Sequence, residues 1–148
     1  VIVGVVFTVL QLRDLVKTRQ TDLVIRLYSN FGSKEFQEAW MKVLTAEFED
    51  LDDFMKKYGP VTNIEAWASA ESVTAFFEGV GVLLHSKLIN IGLVDDLLSS
   101  PIKYTWEKIE PLVKERRKRR KRPQIWEWFE YLYNEMQKRE QTLQPLTT

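Results

Sequence analysis

Twelve residues from Val73 to Leu84, Val-Thr-Ala-Phe-Phe-Glu-Gly-Val-Gly-Val-Leu-Leu, carry one charged side chain, Glu78. With the residues before it, this run forms an apolar-rich segment of more than about twenty positions, too long for a buried strand. A helix that is apolar on nearly every face is buried on nearly every face. The rest of the chain must therefore wrap a central helix, expected over about residues 63–87. Thr62 and Glu65 stand at capping-box spacing, a way to satisfy free amides at a helix start. Gly79 and Gly81 each cost about 1 kcal/mol of helix propensity against Ala. Such glycines point to a second helix crossing closely, or to a local kink.

Glu78 interrupts the run. A buried carboxylate is paired or protonated, because an isolated buried charge is expensive. The structural reading is an ion pair or a place at the core edge. The functional reading is a proton-handling or metal-binding acid. No second carboxylate or His stands at metal-ligand spacing on this helix, so no metal site is assigned. His85, the only histidine, lies two turns on and reads as a residue at the helix C-terminus.

The N-terminus opens Val-Ile-Val-Gly-Val-Val-Phe-Thr-Val-Leu-Gln-Leu, with no charge before Arg13. A bilayer crossing needs about 20 apolar residues, more than this run provides. The expectation is a chain that begins inside a transmembrane helix, with residues 1–12 as its C-terminal part. Arg13, Lys17 and Arg19 follow at once, which places the remainder in the cytoplasm by the positive-inside rule. Leu12, Leu15, Val16, Leu23, Leu27 and Phe31 keep helical spacing, so one long helix enters the following domain without a flexible linker. Asn30 and Gly32 end it.

Ser33 is the expected N-cap of a helix over about 34–47, with Phe36, Trp40, Val43 and Leu44 inward. Asp50 caps a short helix over about 51–58, closed by Gly59-Pro60, whose acidic residues suit the positive end of a helix dipole. They lack the spacing and glycine of a calcium loop. Beyond the central helix, a short helix over about 93–98 is expected to stop at Ser99-Ser100-Pro101. The next covers about 102–119, kinked or split at Pro111. Pro123 opens the last, over about 124–140, with Ile125, Phe129, Leu132 and Met136 on its core stripe. The fold class is all-α: an irregular bundle of about six to seven helices. The domain covers residues 13–141, with residues 142–148 as a disordered tail.

The 148 residues have zero formal net charge, unevenly spread. Lys114–Arg122 holds eight cations and one glutamate, a net +7, so the rest carries −7. Lys114, Arg116, Arg117, Lys118, Arg119, Arg120, Lys121 and Arg122 are candidate contacts to an anionic surface. Basic clusters beside a membrane gain about 1 kcal/mol per residue from anionic lipid. Nucleic acid is a weaker reading, a protein partner another, and a solvated helix end that complements acidic neighbours the plainest. Cysteine is absent, which excludes disulfides and thiol chemistry. There is no phosphate-cradling glycine loop, no supported Ser-His-Asp set and no zinc signature. No cofactor is assigned.

The chain also resembles a family. Leu-Tyr-Ser-Asn-Phe (27–31), Phe-Gln-Glu-Ala-Trp (36–40), Lys-Tyr-Gly-Pro (57–60), Phe-Phe-Glu-Gly-Val-Gly-Val-Leu (76–83), Gly-Leu-Val-Asp-Asp-Leu-Leu (92–98) and Trp-Glu-Lys-Ile-Glu-Pro-Leu (106–112) carry the resemblance. Their order and spacing are similar to the helical single-pass membrane proteins grouped as domain of unknown function 4760, over about residues 12–136. The resemblance implies a membrane anchor and a helical cytoplasmic domain, and no activity. The basic run is not expected from the family pattern. The expected function is a non-enzymatic, membrane-anchored interaction module, a subunit of a homo- or hetero-oligomeric assembly. The alternative is a domain that contacts anionic lipid, or less readily nucleic acid, through residues 114–122. Any enzyme reading would rest on acid chemistry at Glu78 alone.

Overall fold

The computed structural model describes residues 1–143. Six helices and no strand occur among them: α1 (Ile2–Phe31), α2 (Lys34–Thr45), α3 (Leu51–Tyr58), α4 (Ile64–His85), α5 (Ile91–Arg120) and α6 (Glu127–Leu143). None of these helices is long and apolar enough to cross a membrane.

α4 is the central helix the apolar run requires. Val73, Phe77, Val80, Gly81 and Leu84 are buried along it. α6 covers it with Phe129, Leu132 and Met136, and α5 with Ile102, Trp106, Ile109 and Val113. The Phe77 and Phe129 rings stack at 4.9 Å, and the Trp106 ring meets Phe129 edge-on at 5.1 Å. Each such large side chain contributes about 1.5–3 kcal/mol on burial.

α4 starts at Ile64, within a residue of the expected place, and differs only in its cap. Asn63, not Thr62, is the N-cap, and its side chain accepts from the Ala66 N–H at 3.0 Å. Glu65 turns away from a capping box and pairs with Lys42 of α2. The Ser33 and Asp50 caps stand as expected, accepting from Phe36 N–H and Asp53 N–H. α2 ends at Thr45, two residues short of its expected limit.

The two helices expected over 93–98 and 102–119 are one. α5 runs through both Pro101 and Pro111 without a break. An interior proline costs about 3 kcal/mol. The stripe Leu98, Ile102, Trp106, Ile109 and Val113 is buried continuously across Pro101, and stopping the helix would expose it. Thr105, fully buried, donates to the Pro101 carbonyl at 2.6 Å and accepts from the Trp40 indole N–H at 2.8 Å. A polar pair thus sits satisfied in the core one turn past the proline.

α6 starts at Glu127, not at Gln124 beside Pro123. Residues 123–126 form turns instead, and Trp126 adopts a left-handed backbone with φ 53°. Of the tail expected to be disordered, Thr142 is helical and Leu143 ends α6, while residues 144–148 lie outside the described residues.

α1 contacts the bundle only with its C-terminal half. Val24 and Phe31 are buried, whereas every residue from Val1 to Arg19 is exposed. Gln20 donates to the Lys87 carbonyl at 3.1 Å, and the Phe31 ring packs against Phe76 and Phe77. α1 therefore runs antiparallel to α4, and its N-terminal half projects past the turn between α4 and α5.

Candidate functional site

Three features stand out: the acid at the core edge and the basic run, both singled out by the sequence, and a cavity beside that run.

Glu78 forms no direct ion pair among the described residues. Its Oε2 accepts from the Phe129 backbone N–H at 2.7 Å. Trp126, the residue before α6, has no side-chain acceptor, and a carboxylate from α4 satisfies an amide in the first turn. Burial raises the Glu78 pKa above the ordinary glutamate value. The Phe129 and Trp128 amides oppose that shift, Glu127 adds to it, and Arg117 opposes it. Three residues on, a Cβ at Gly81 would overlap the Trp128 carbonyl, while one at Gly79 would meet nothing within 4 Å. Gly81 is thus the glycine that allows the close crossing, and Gly79 does not take part. His85 lies in the last turn of α4 and packs against the Trp128 ring at 4.4 Å and the Tyr131 ring at 5.3 Å. No group of three or more His, Cys, Asp or Glu among the described residues could hold a metal ion.

The basic run divides in two. Lys114 pairs with Glu110 at 2.8 Å, Arg116 with Glu71 at 3.1 Å, Arg117 with Glu130 at 2.6 Å, and Arg119 with both Asp52 and Glu115. Arg117 also donates through Nε to the Ile125 carbonyl at 2.8 Å, fixing the turn into α6. Its Nη2 is buried without a hydrogen-bond partner. Hydrogen bonds to Asp52 and then Glu115 raise the Arg119 pKa, and the same bond lowers that of Asp52. Lys118, Arg120, Lys121 and Arg122 are exposed and form no ion pair among the described residues. Three of the eight expected anionic-surface residues, Arg116, Arg117 and Arg119, therefore brace the bundle, Lys114 pairs within α5, and four remain available. Lys121 ends α5 in a left-handed conformation, its N–H bonded to the Arg117 and Lys118 carbonyls.

The run lies far from the projecting end of α1. Phe31 packs on Trp40 at 5.2 Å, and Trp40 reaches Thr105 on α5. From Leu12 down α1 to Phe31, across to Thr105 and on to Lys118, helix rise alone covers about 45–50 Å. The apolar and the basic ends are opposite poles of the molecule.

Beside the basic run, α2, α3, α4 and α5 enclose a cavity of about 390 Å³. Phe48, Phe54, Tyr58, Trp67 and Trp126 line it with aromatic surface, and Ile109, Leu112 and Val113 form part of its wall. The Arg116 guanidinium stands over the Trp67 ring at 5.3 Å. Lys42, Glu65 and Glu71 are the other charged residues of the lining. Sequence reading missed the space between these aromatic residues. No sequence signal marks it, since packed and lining aromatics have the same spacing.

These features define an all-helical bundle with a bare apolar stem at one pole and a basic, cavity-bearing surface at the other. Residues 1–136 match the family described as Domain of unknown function (DUF4760), and the chain belongs to that family. None of the curated proteins and none of the solved structures matches it.

Proposed function

We propose that this protein is a non-enzymatic, membrane-anchored helical interaction module, with the bundle on the cytoplasmic side. The exposed apolar half of α1 is the observation that carries this reading. Val1, Ile2, Val3, Val5, Val6, Phe7, Val9 and Leu10 are all at least half exposed, and Gly4 has no neighbour within 4 Å of a built Cβ. Contiguous apolar surface of this kind marks a membrane or protein contact. Twelve helical residues reach about 18 Å, short of a bilayer core of about 30 Å, so residues 1–12 enter the membrane without crossing it alone. Arg13, Lys17 and Arg19 follow at the interface.

The opposite pole then faces away from the bilayer, where its unpaired cations meet a protein partner or a second copy. Electrostatic attraction between exposed charges fades over about 10 Å at ordinary ionic strength. A separation several times larger weighs against the basic run's touching the lipid in which α1 sits. The use of Glu78 as a helix cap supports a structural part for this acid rather than chemistry.

Fractionation of cells producing the full chain tests the anchor. The chain should stay with carbonate-washed membranes. A variant carrying Val5→Ser, Val6→Ser, Val9→Ser and Leu10→Ser should move to the soluble fraction with unchanged helical circular dichroism. A full chain found in the soluble fraction would sink the anchoring reading. Native mass spectrometry of gently extracted protein tests the assembly. A homo-oligomer or a co-purifying protein supports it, and a clean monomer removes it.

A further inference from the structure

We propose that the cavity between α2, α3, α4 and α5 binds a small planar aromatic molecule bearing one anionic group. Its volume of about 390 Å³ falls within the range of small-molecule sites, about 300–1,000 Å³. Such sites are mostly apolar, with a few polar groups that orient the ligand. Here the apolar part is aromatic. Phe48 and Phe54 meet edge-on at 5.4 Å, and Phe54 lies 6.5 Å from Trp67. Rings arranged this way offer faces and edges to a further ring. Walls from four helices suit a compact ligand better than a helix laid in an open groove.

The charge follows from α5. Ile109, Leu112, Val113 and Arg116 reach the cavity at helical spacing, and Arg120 stands one turn beyond Arg116 on that face. Glu71 and Glu65 offset Arg116 and Lys42. Arg120 lies outside the lining and has no ion pair among the described residues, so the charge just beyond the Arg116 end of the cavity is positive. A carboxylate near Arg116 and Arg120 is attracted there, and a cationic ligand is repelled by the unpaired cations Lys118, Arg120, Lys121 and Arg122.

The test is a methyl NMR titration of the full chain with 2-naphthoate as the probe. Saturable shifts are expected at Val43, Leu51, Ile109, Leu112 and Val113 and none on α1, with Kd below about 1 mM. Arg116→Gln should weaken 2-naphthoate about tenfold, the worth of one hydrogen bond to a charged group, and leave the neutral 2-naphthalenemethanol unchanged. Ala66→Phe, which fills the cavity from α4, should abolish both responses. If that variant loses its helical circular dichroism, the charge selectivity of Arg116→Gln decides alone. Absence of saturable shifts, shifts confined to α1, or equal loss of both probes in Arg116→Gln would overturn the proposal. So would a response to an acidic amphipathic peptide with none to 2-naphthoate, which would make the cavity a socket for a protein side chain.

Discussion

The first twelve residues and the twelve from Val73 to Leu84 are both almost wholly apolar and both helical, yet they end in opposite environments. In the first, every residue is exposed. In the second, Val73, Phe77 and Val80 are fully enclosed. Apolar content sets the need for cover but does not supply it. The difference lies in the neighbours. Gly81 lets the α6 backbone approach α4, and Glu78 satisfies the amide that this approach would otherwise strand. Gly4 meets nothing. The α1 stem is a helix with the same demand and no partner among the described residues.

That contrast can be broken first at Phe77. Phe77→Ala should lower unfolding free energy by about 3–5 kcal/mol, read by chemical denaturation, because a fully enclosed ring leaves a cavity. A loss below about 1 kcal/mol would mean that α4 is not the packed centre.

Gly81→Ala comes next. Its Cβ meets a backbone carbonyl, which cannot rotate away, so α4 and α6 must separate at a cost of about 1–3 kcal/mol. Gly79→Ala is the internal control. It should gain up to about 1 kcal/mol from helix propensity, since the space there is open. Similar effects at both positions would contradict the close crossing.

Glu78→Ala should cost about 0.5–2 kcal/mol, the usual range for a lost cap. Its titration sharpens the comparison further. The raised pKa means that the folded state holds this proton to higher pH than the unfolded chain does. Stability from this group is therefore greatest below the ordinary glutamate value and falls as pH rises through the raised folded value. Measured as the difference from Glu78→Gln, which accepts the same hydrogen bond without titrating, wild type should lose stability across that window. A difference that grows with pH would mean that the amide bonds outweigh burial.

The smallest effect is expected on the stem. Val9→Ser should change unfolding free energy by no more than about 0.5 kcal/mol, since the side chain touches no other helix. A larger loss would show that α1 folds back onto the bundle.

Much of the architecture was legible because it follows from local chemistry. The central helix, the Ser33 and Asp50 caps and the Gly59-Pro60 stop are written in spacing and cap residues. The errors cluster where distant contacts outvote local ones. Pro101 reads as a stop, but the buried stripe through Leu98, Ile102 and Trp106 keeps the helix unbroken past it. Pro123 reads as opening a helix at Gln124, yet Arg117 and Glu78 set that start three residues later. The division of the basic run into paired and unpaired cations was likewise hidden, because Glu71, Asp52 and Glu130 come from three other helices. Gly79 and Gly81 look alike in sequence, and only the position of Trp128 tells them apart.

The cap that α4 lends to α6 also orders events in time. A helix start is the costly step, because the first turn fixes several residues before many bonds form. Glu127 and Glu130 favour the first turn of the 17-residue α6 through the helix dipole, but the side chain that accepts from its Phe129 amide comes from 51 positions earlier, at Glu78. α6 is also the last of the six helices to leave the ribosome. The final helix therefore waits for a template rather than nucleating alone, and closing the bundle becomes one cooperative step. A chain interrupted before residue 127 would keep Glu78 and lose its cover, leaving the Phe77 face open to whatever apolar surface is nearby.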